Sequence, residues 1–384
     1  MKYIEKLLNG AEVKWMTVEE ISKNISSGGT PRSNVAAYYG GNIPWLRTQE
    51  VNFREIWDTG IKITEEGLNS SSAKYIPANC IIVAMYGATV GRVGINKIPL
   101  TTNQACANIE VNDNIAYYRY IYHYLSSQYE YIKSLGAGSQ TNINAGIVKK
   151  IKVPIPPLYV QEEIVRILDK FTTLEAELEA ELDYRKRQYE YYRNQLLSLD
   201  VLIREQGLDK VEYKALSEVA EIRRGKRLVK SELSTSGNYA VYQNSMIPLG
   251  YYSKSNVSEG TTFVISAGSA GEIGYSPNRF WAADDVYYFI FTDGVCSKYV
   301  YYFLLIKQQS IKRQVRRASV PRLSKSAFEK IKIPIPPLAE QQRIVSILDK
   351  FEALTTSISE GLPKEIALRR KQYEYYRNQL LSFA

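Results

Sequence analysis

The residues best able to do covalent chemistry do not form a catalytic pattern. A nucleotide-phosphate loop needs Gly-x4-Gly-Lys-Ser/Thr, whose main-chain amides surround the phosphates, but Gly225-Lys226 is followed by Arg227 and lacks the upstream glycine. Both Pro-Pro pairs follow isoleucine, so they lack the Asp or Asn with which amino-methyltransferases hold the amine of a flipped base. The only histidine, His123, lies in a tyrosine-rich stretch that favours packing over catalysis. We expect no catalytic residue and no cofactor in this chain.

The cysteines do not suggest a metal site or a disulfide. Cys80, Cys106 and Cys296 are far apart, form no CxxC pair and have no neighbouring histidine. This usage is typical of a reducing compartment. The first ten residues lack the apolar run of a signal peptide, and no window approaches 18 apolar residues. These features predict a soluble, cytoplasmic protein.

Arginine is concentrated in two segments of the second half, residues 222–230 and 312–325. The guanidinium group suits both phosphate oxygens and guanine edges, and neighbouring Ser and Asn side chains can also bind bases. A solvated charged surface would explain either segment alone equally well. The candidate DNA-binding residues here are Arg223, Arg224, Lys226, Arg227, Arg316, Arg317 and Arg322.

The first half has sparser basic residues and a polar loop, GSQTNINAG at 138–146, where the second half has RASVPRLSK at 317–325. Different polar residues at equivalent positions predict two readers of different sequences. The candidate DNA-binding residues of this half are Arg32, Arg47, Arg92, Gln140, Asn142 and Asn144.

The net charge of +9 is unevenly distributed. Residues 1–150 contain 15 basic and 12 acidic side chains, and residues 205–330 contain 18 and 12. Basic excess in these two blocks is expected of surfaces that face phosphate. With 45% hydrophobic and 23% charged residues, the composition is that of a globular protein.

The chain is a tandem duplication. IKVPIPPLYVQEEIVRILDKF at 151–171 matches IKIPIPPLAEQQRIVSILDKF at 331–351 in 15 of 21 positions, and QYEYYRNQLLS recurs unchanged at 188–198 and 372–382. Weaker echoes lie between them, such as GATVGRVG at 87–94 and AGSAGEIG at 267–274. The linkers agree between the copies while the blocks between them have diverged.

Each repeated linker predicts an extended segment followed by a long helix. The prolines of IPIPPL exclude a helix interior, and the apolar residues after it recur every three or four positions, as in a coiled-coil seam. We expect two antiparallel helices of about 38–40 residues. The second should be kinked or interrupted at Gly361-Leu362-Pro363, and its four additional residues should add about one helical turn.

The blocks between the linkers mix short β-rich runs with helical stretches, so the predicted class is α+β. Joining the C-terminus to the N-terminus regenerates the passage from the first helix into the second block, which predicts a pseudo-twofold, circular organisation. The predicted divisions are 1–150, 151–204, 205–330 and 331–384, which alternate between block and linker helix.

This duplicated Pro-Pro-Leu element, followed by a long helix and alternating with divergent blocks, resembles the specificity subunit of type I restriction-modification systems. The resemblance implies two target recognition domains, 1–150 and 205–330, that read the halves of an asymmetric, bipartite double-stranded DNA site. It also implies that the helices bind two modification subunits, which carry S-adenosylmethionine and the methylation chemistry. Restriction subunits, with ATP, would dock on that assembly.

Outward-facing residues of the repeated QYEYYRNQLLS are identical although seam positions explain only about a third of the motif. Two copies of one partner-binding surface explain this better than recent duplication, because the blocks have diverged. An alternative is a scaffold whose blocks bind proteins, and another is a cryptic DNA methyltransferase or nuclease. The candidate partner-binding residues are Gln188, Glu190, Arg193, Asn194, Gln195, Gln372, Glu374, Arg377, Asn378 and Gln379.

Overall fold

The computed structural model describes residues 3–136, 142–204, 211–317, 319–357 and 359–383. The chain forms two compact units, which are described separately. Unit 1 contains Met1–Glu177 and Ile366–Ala384, and unit 2 contains Leu178–Glu365. Each unit therefore combines one divergent block with segments of both linker helices. No helix among the described residues is long and apolar enough to cross a membrane.

The first block alternates strands with short helices. Its strands are β1 (Lys14–Thr17), β2 (Ser22–Ser27), β3 (Tyr39–Leu46), β4 (Glu55–Ile56), β5 (Lys62–Ile63), β6 (Tyr75–Ile76), β7 (Ile81–Ala84), β8 (Val93–Asn96), β9 (Leu100–Thr102), β10 (Cys106–Val111) and β11 (Lys152–Ile155). Its helices are α1 (Tyr3–Leu8), α2 (Glu65–Asn69), α3 (Tyr118–Ser127), α4 (Tyr129–Ser134) and α5 (Ala145–Lys150). The strands form sheets of order β1-β11, β2-β10-β7-β8-β4 and β5-β3-β9-β6.

The first linker helix is α6 (Leu158–Leu196), and the second block follows it. The helices of that block are α7 (Leu199–Arg204), α8 (Leu216–Val219) and α9 (Ser297–Lys312). Its strands are β12 (Glu212–Ala215), β13 (Ala220–Arg224), β14 (Tyr239–Tyr242), β15 (Gly250–Tyr252), β16 (Thr261–Ile265), β17 (Ile273–Ser276), β18 (Trp281–Ala282), β19 (Val286–Phe291) and β20 (Lys332–Ile335). They form sheets of order β12-β20, β13-β19-β16-β17 and β15-β14-β18. The predicted α+β class is confirmed.

The second linker is interrupted, as predicted. It consists of α10 (Leu338–Thr356) and α11 (Gly361–Leu380), whereas α6 is continuous. Gly361 has φ +77°, and a Cβ there would lie 2.4 Å from the carbonyl oxygen of Ala353. The expectation that four additional residues lengthen this helix is wrong: α10 and α11 contain 19 and 20 residues, against 39 in α6. The additional residues fall between α10 and α11 because the proline and the left-handed glycine disfavour a continuous helix.

Within each unit a segment of α6 packs on a segment of the second linker. In unit 1 the rings of Phe171 and Tyr376 stack with centroids 5.2 Å apart, and Arg370 pairs with Glu175 one turn further on. These contacts run antiparallel, because the partner number falls as the α6 number rises. In unit 2, Phe351 stacks on Tyr192 at 5.5 Å. Tyr192 and Tyr376, which occupy the same position of the repeated motif, therefore lie in the helix seam.

Both chain ends contribute to the core of unit 1. Ile4 of α1 belongs to the same buried cluster as Leu380 and Leu381. In unit 2 the corresponding residues, Leu197 and Leu202, are joined through the chain and are also buried together. The predicted proximity of the two ends is confirmed within unit 1.

Candidate nucleic-acid interface

Three loops of unit 2 are hydrogen-bonded into one surface. They are residues 244–249, 266–270 and 316–322, the last without residue 318, which lies outside the described residues. The amide of Ser269 donates to the carbonyl of Asn244 at 2.8 Å, and the amide of Gly268 donates to the carbonyl of Pro321 at 3.2 Å. We call this set the three-loop surface. Main-chain bonds hold its loops together, so their side chains can vary without loss of the frame.

Gly268 makes the close approach of these loops possible. Its φ is +74°, and a Cβ would lie 2.7 Å from the carbonyl oxygen of Asn244. Any other residue would be strained by the left-handed backbone and would also displace loop 244–249.

Three arginines are displayed on loop 316–322. The main chains of Arg316 and Arg322 exchange hydrogen bonds of 2.9 and 3.2 Å, which closes a small hairpin. The side chains of Arg316, Arg317 and Arg322 are all exposed. Arginines held in this way on a main-chain frame can meet phosphate or guanine without first ordering the loop.

The other basic segment of unit 2 is partly engaged within the protein. Arg223 pairs with Glu221 at 2.8 Å, and this hydrogen bond raises the pKa of the Arg223 guanidinium. Arg224 donates to the carbonyl of Asp284 at 2.6 Å. Lys226 and Arg227 have exposed side chains. Some of the N–H donors of Arg223 and Arg224 are therefore already bonded to groups of unit 2, which distinguishes these two residues from the arginines of the hairpin.

Unit 1 has the same frame with different side chains. The amide of Ile143 donates to the carbonyl of Met85 at 3.0 Å, as that of Leu323 donates to Ser266 at 2.8 Å in unit 2. The side chain of Asn142 accepts from the amide of Gly87 at 3.3 Å. The predicted equivalence of the two glycine turns and the two polar loops therefore holds in the main-chain contacts.

The remaining candidates of unit 1 are less concentrated. Arg92 follows the glycine turn in the chain, and its guanidinium group donates to the side-chain oxygen of Asn52 at 2.9 Å. Asn144 caps α5 by accepting from the amide of Ile147 at 2.9 Å, so its side chain already has a structural role. Gln140 lies outside the described residues.

Two arginines of unit 1 lie on other segments. Arg32 is exposed in the loop after β2. Arg47 directly follows β3, with its Nε 3.8 Å from the Glu50 carboxylate. The roles of Arg32 and Arg47 as DNA contacts stay predictions.

Each repeat contains a buried glutamine that is not among the candidate residues named from the sequence. Gln161 and Gln341 are 0% exposed. Gln341 accepts from the amide of Cys296 at 2.8 Å and donates to the carbonyls of Pro336 and Gly294 at 2.8 and 3.0 Å. Gln161 makes the corresponding bond with the amide of Tyr117. Its recurrence five residues after the first proline of Pro-Pro was the available signal.

His123 is structural. It is fully buried, and its Nε2 lies 2.8 Å from Asp169 while its Nδ1 lies 3.2 Å from the Tyr373 hydroxyl. Burial lowers the pKa of the imidazole, against the opposing effect of Asp169. In unit 2 the equivalent position is Tyr302, whose hydroxyl donates to Asp349 at 2.5 Å. A position that accepts tyrosine in the other copy does not require a base.

The repeated helix ends display an aromatic residue to solvent. Tyr191 and Tyr375 are 59% and 61% exposed, although the neighbouring tyrosines of the motif pack in the helix seam. Arg193 and Arg377 lie over the rings of the tyrosines four residues earlier, at 5.2 and 5.5 Å. The exposed candidates are Glu190, Asn194, Gln195, Glu374 and Asn378.

The glutamines of the motif are less exposed. Gln188 and Gln372 accept from Arg185 and Arg369 at 2.8 and 2.9 Å, and both are half-buried. Gln379 is also half-buried. In unit 2 the exposed side of the motif borders a groove lined by Asn194, Leu197, Ser198, Tyr213, Phe303, Ile306, Lys307 and Lys332.

Comparisons with known proteins identify the same family over nearly the whole chain. A family profile described as "Type I restriction modification DNA specificity domain" matches twice, at residues 11–184 and 209–368. A Haemophilus influenzae protein assigned as a type I restriction enzyme specificity subunit is 32% identical, and the match covers 100% of this chain and 98% of that protein. A type I restriction enzyme specificity subunit of Escherichia coli is 31% identical and is covered to 97%.

Solved structures agree on the fold. The S subunit of a type I restriction-modification system from M. genitalium superposes with a TM-score of 0.65 at 19% identity, covering 98% of both chains. A chain from a structure of type I restriction-modification complex assembly gives a TM-score of 0.59 at 16% identity, covering 96% of this chain and 97% of that one.

Proposed function

This chain belongs to the type I restriction-modification specificity family, whose role is recognition of a DNA sequence, and from that premise we propose how its parts divide the work. Unit 1 and unit 2 each read one half of a bipartite, asymmetric duplex site. The observation that supports this most is the recurrence of one main-chain frame, with Ile143 bonded to Met85 and Leu323 to Ser266, carrying unrelated side chains. A shared frame with unlike side chains is what two readers of different sequences require.

Replacement of the hairpin arginines tests this division. In the variant Arg316→Ala, Arg317→Ala and Arg322→Ala, the half-site read by unit 2 should lose its base preference while the other half keeps its own. Selection of bound duplexes from a randomised pool by the full chain measures both preferences at once. Relaxation of both halves together would contradict separate reading.

We place the partner-binding surface on the repeated helix ends. An exposed tyrosine in a well-packed helical setting is typical of a protein interface anchor. Tyr191 and Tyr375 recur with the same neighbours, and in unit 2 a groove beside Asn194 and Tyr213 extends that surface. Two copies of the surface would hold two modification subunits.

In this proposal the chain itself is non-catalytic and works on DNA in the cytoplasm. S-adenosylmethionine and ATP are bound by the modification and restriction subunits, and the specificity chain positions those subunits on DNA.

Co-purification with a type I modification subunit tests the docking sites. Tyr191→Ala and Tyr375→Ala should each reduce the number of bound subunits from two to one, as counted by native mass spectrometry. Tyr184→Ala is the matched control, because Tyr184 is also exposed on α6 but precedes the repeated motif. If the variant that carries both substitutions still binds two modification subunits, this surface is not their docking site.

A further inference from the structure

An isoleucine protrudes from the three-loop surface of unit 2. Ile247 is 77% exposed, the largest value among the large hydrophobic side chains of the described residues. Met246 and Leu249 beside it are also exposed. Single exposed aliphatic residues are ordinary on protein surfaces, so exposure alone does not assign a role to Ile247.

Hydrogen bonds within the loop hold the main chain of Ile247 in place. The hydroxyl of Ser245 donates to the carbonyl of Ile247 at 2.9 Å and accepts from its amide at 3.3 Å. Pro248 has a fixed φ and restricts the backbone of Ile247 before it, and the amide of Leu249 donates to the carbonyl of Val241 at 2.8 Å. Because the main chain of this loop is already ordered, covering the Ile247 side chain does not require a partner to order the loop as well.

The charges around Ile247 indicate what that partner is. Loop 244–249 is bonded to the glycine turn through Asn244 and Ser269, and that turn is bonded to the arginine hairpin at Pro321. The apolar tip thus belongs to a surface whose other exposed side chains include three arginines. Positive charge beside it favours a polyanion over an apolar protein partner.

We propose that Ile247 reads the C5 methyl group of a thymine in the major groove of the half-site bound by unit 2. In that groove thymine is the only base of unmodified DNA that presents a methyl group, and aliphatic side chains contact it favourably. Arginine forks read guanine in the same groove, so one docking position serves both. This assignment rests on the proposed reading of a half-site by unit 2.

The test removes the methyl group from the DNA and the side chain from the protein. The half-site is first identified by selection with the full chain, and each thymine in it is then replaced by uracil. Wild-type affinity should fall about fourfold at one position, which corresponds to burial of one methyl-sized group. Ile247→Ala should bind the thymine duplex correspondingly more weakly and should not distinguish uracil from thymine at that position.

Ile203→Ala is the matched control, because Ile203 is an exposed isoleucine on α7 outside the three-loop surface; it should bind and discriminate as the wild type does. Four results would overturn the assignment: a half-site without thymine, unchanged affinity of Ile247→Ala, uracil discrimination that persists in Ile247→Ala, or a loss in Ile247→Ala when the wild type is indifferent to uracil. The last result would make Ile247 a wedge between base steps. Absence of any sequence preference in the wild-type chain would instead refute half-site reading itself.

Discussion

At the scale of single residues, equivalent positions of the two units make equivalent contacts with different side chains. Asp169 and Asp349 are the same residue of the repeat, and each receives a basic group from the neighbouring helix: Arg119 at 2.6 Å in unit 1 and Lys298 at 2.8 Å in unit 2. These buried or half-buried polar clusters connect a divergent block to an invariant helix. Each aspartate needs only a basic side chain long enough to reach it. The basic residue can therefore differ between the units while the aspartate is retained.

The buried glutamine should contribute strongly to stability. Gln341→Leu leaves the amide of Cys296 and the carbonyls of Pro336 and Gly294 without their partner. Each unsatisfied group costs about 1–3 kcal/mol, so we expect a clear fall in the midpoint of urea unfolding. Gln342→Leu is the control, because Gln342 is the exposed neighbour on the same helix. Equal effects of the two substitutions would contradict a special role for the buried amide.

Acid should destabilise unit 1 through His123. Burial lowers the pKa of this imidazole in the folded chain, so the unfolded chain binds the proton first. The stability is therefore complete above the ordinary histidine pKa of about 6.5 and falls as the pH decreases below it.

Replacement by the residue of the other repeat tests this directly. His123→Tyr can still donate to Asp169, as Tyr302 donates to Asp349, but it does not titrate between pH 7.5 and 5.5. Urea unfolding at both pH values should show a smaller acid loss in the variant. The same pH dependence in both chains would show that the acid loss originates elsewhere.

At the scale of elements, the frame is set by glycines with positive φ and by prolines, which have a fixed φ and no amide donor. Gly87 and Gly268 both have positive φ in the turn that holds the polar loop. The strand pairs β1-β11 and β12-β20 place an exposed aromatic opposite a proline of the linker, Trp15 with Pro154 and Tyr213 with Pro334. These contacts use the main chain, which explains why they survive while the surrounding side chains diverge.

Gly268→Ala should impair DNA reading by unit 2 without unfolding it. The new Cβ would approach Asn244, so loop 244–249 must shift. We expect weaker discrimination in one half-site and an unchanged preference in the other. Gly294→Ala is the matched control, because its φ is +85° but nothing lies within 4 Å of the added carbon. An equal loss of discrimination in the two variants would indicate that backbone strain, and not the contact with loop 244–249, causes the loss.

How much the sequence predicts depends on whether a feature is local. The helix that follows Pro-Pro-Leu, the break at Pro363 and the α+β blocks all follow from local backbone chemistry. The pairing of Arg223 with Glu221 could have been foreseen, since residues two apart on a strand share a face. The capping role of Asn144 is also local, because its side chain accepts from the amide of Ile147 three residues later. The buried contacts of Gln341 are not local: its recurrence after Pro-Pro marks the position, but the amide of Cys296 and the carbonyl of Gly294 come from a segment that folds back from elsewhere in the chain.

At the scale of the whole molecule, duplication has produced two units that share one long helix. The first part of α6, up to Glu177, belongs to unit 1, and the part from Leu178 belongs to unit 2. The tandem LEAE of LEAELEAEL, residues 174–182, spans this division. Helical residues are equal in number in the two linkers, because the additional residues of the second fall between α10 and α11. The helical length itself is thus the quantity that the two copies share.

We therefore predict that deleting one LEAE unit changes the DNA spacer and neither half-site. Four residues contribute about 6 Å of helix, compared with 3.4 Å for a base-pair step, so the unread spacer should shorten by about one or two base pairs. Deletion of residues 357–360 is the control of equal length. It removes the residues between α10 and α11 and leaves both helices at full length, so the spacer should stay as in the wild type. Duplex selection from a pool with variable spacers measures all three chains. An unchanged spacer in the LEAE deletion would show that this repeat is only a good helix former and that the helix does not set the distance.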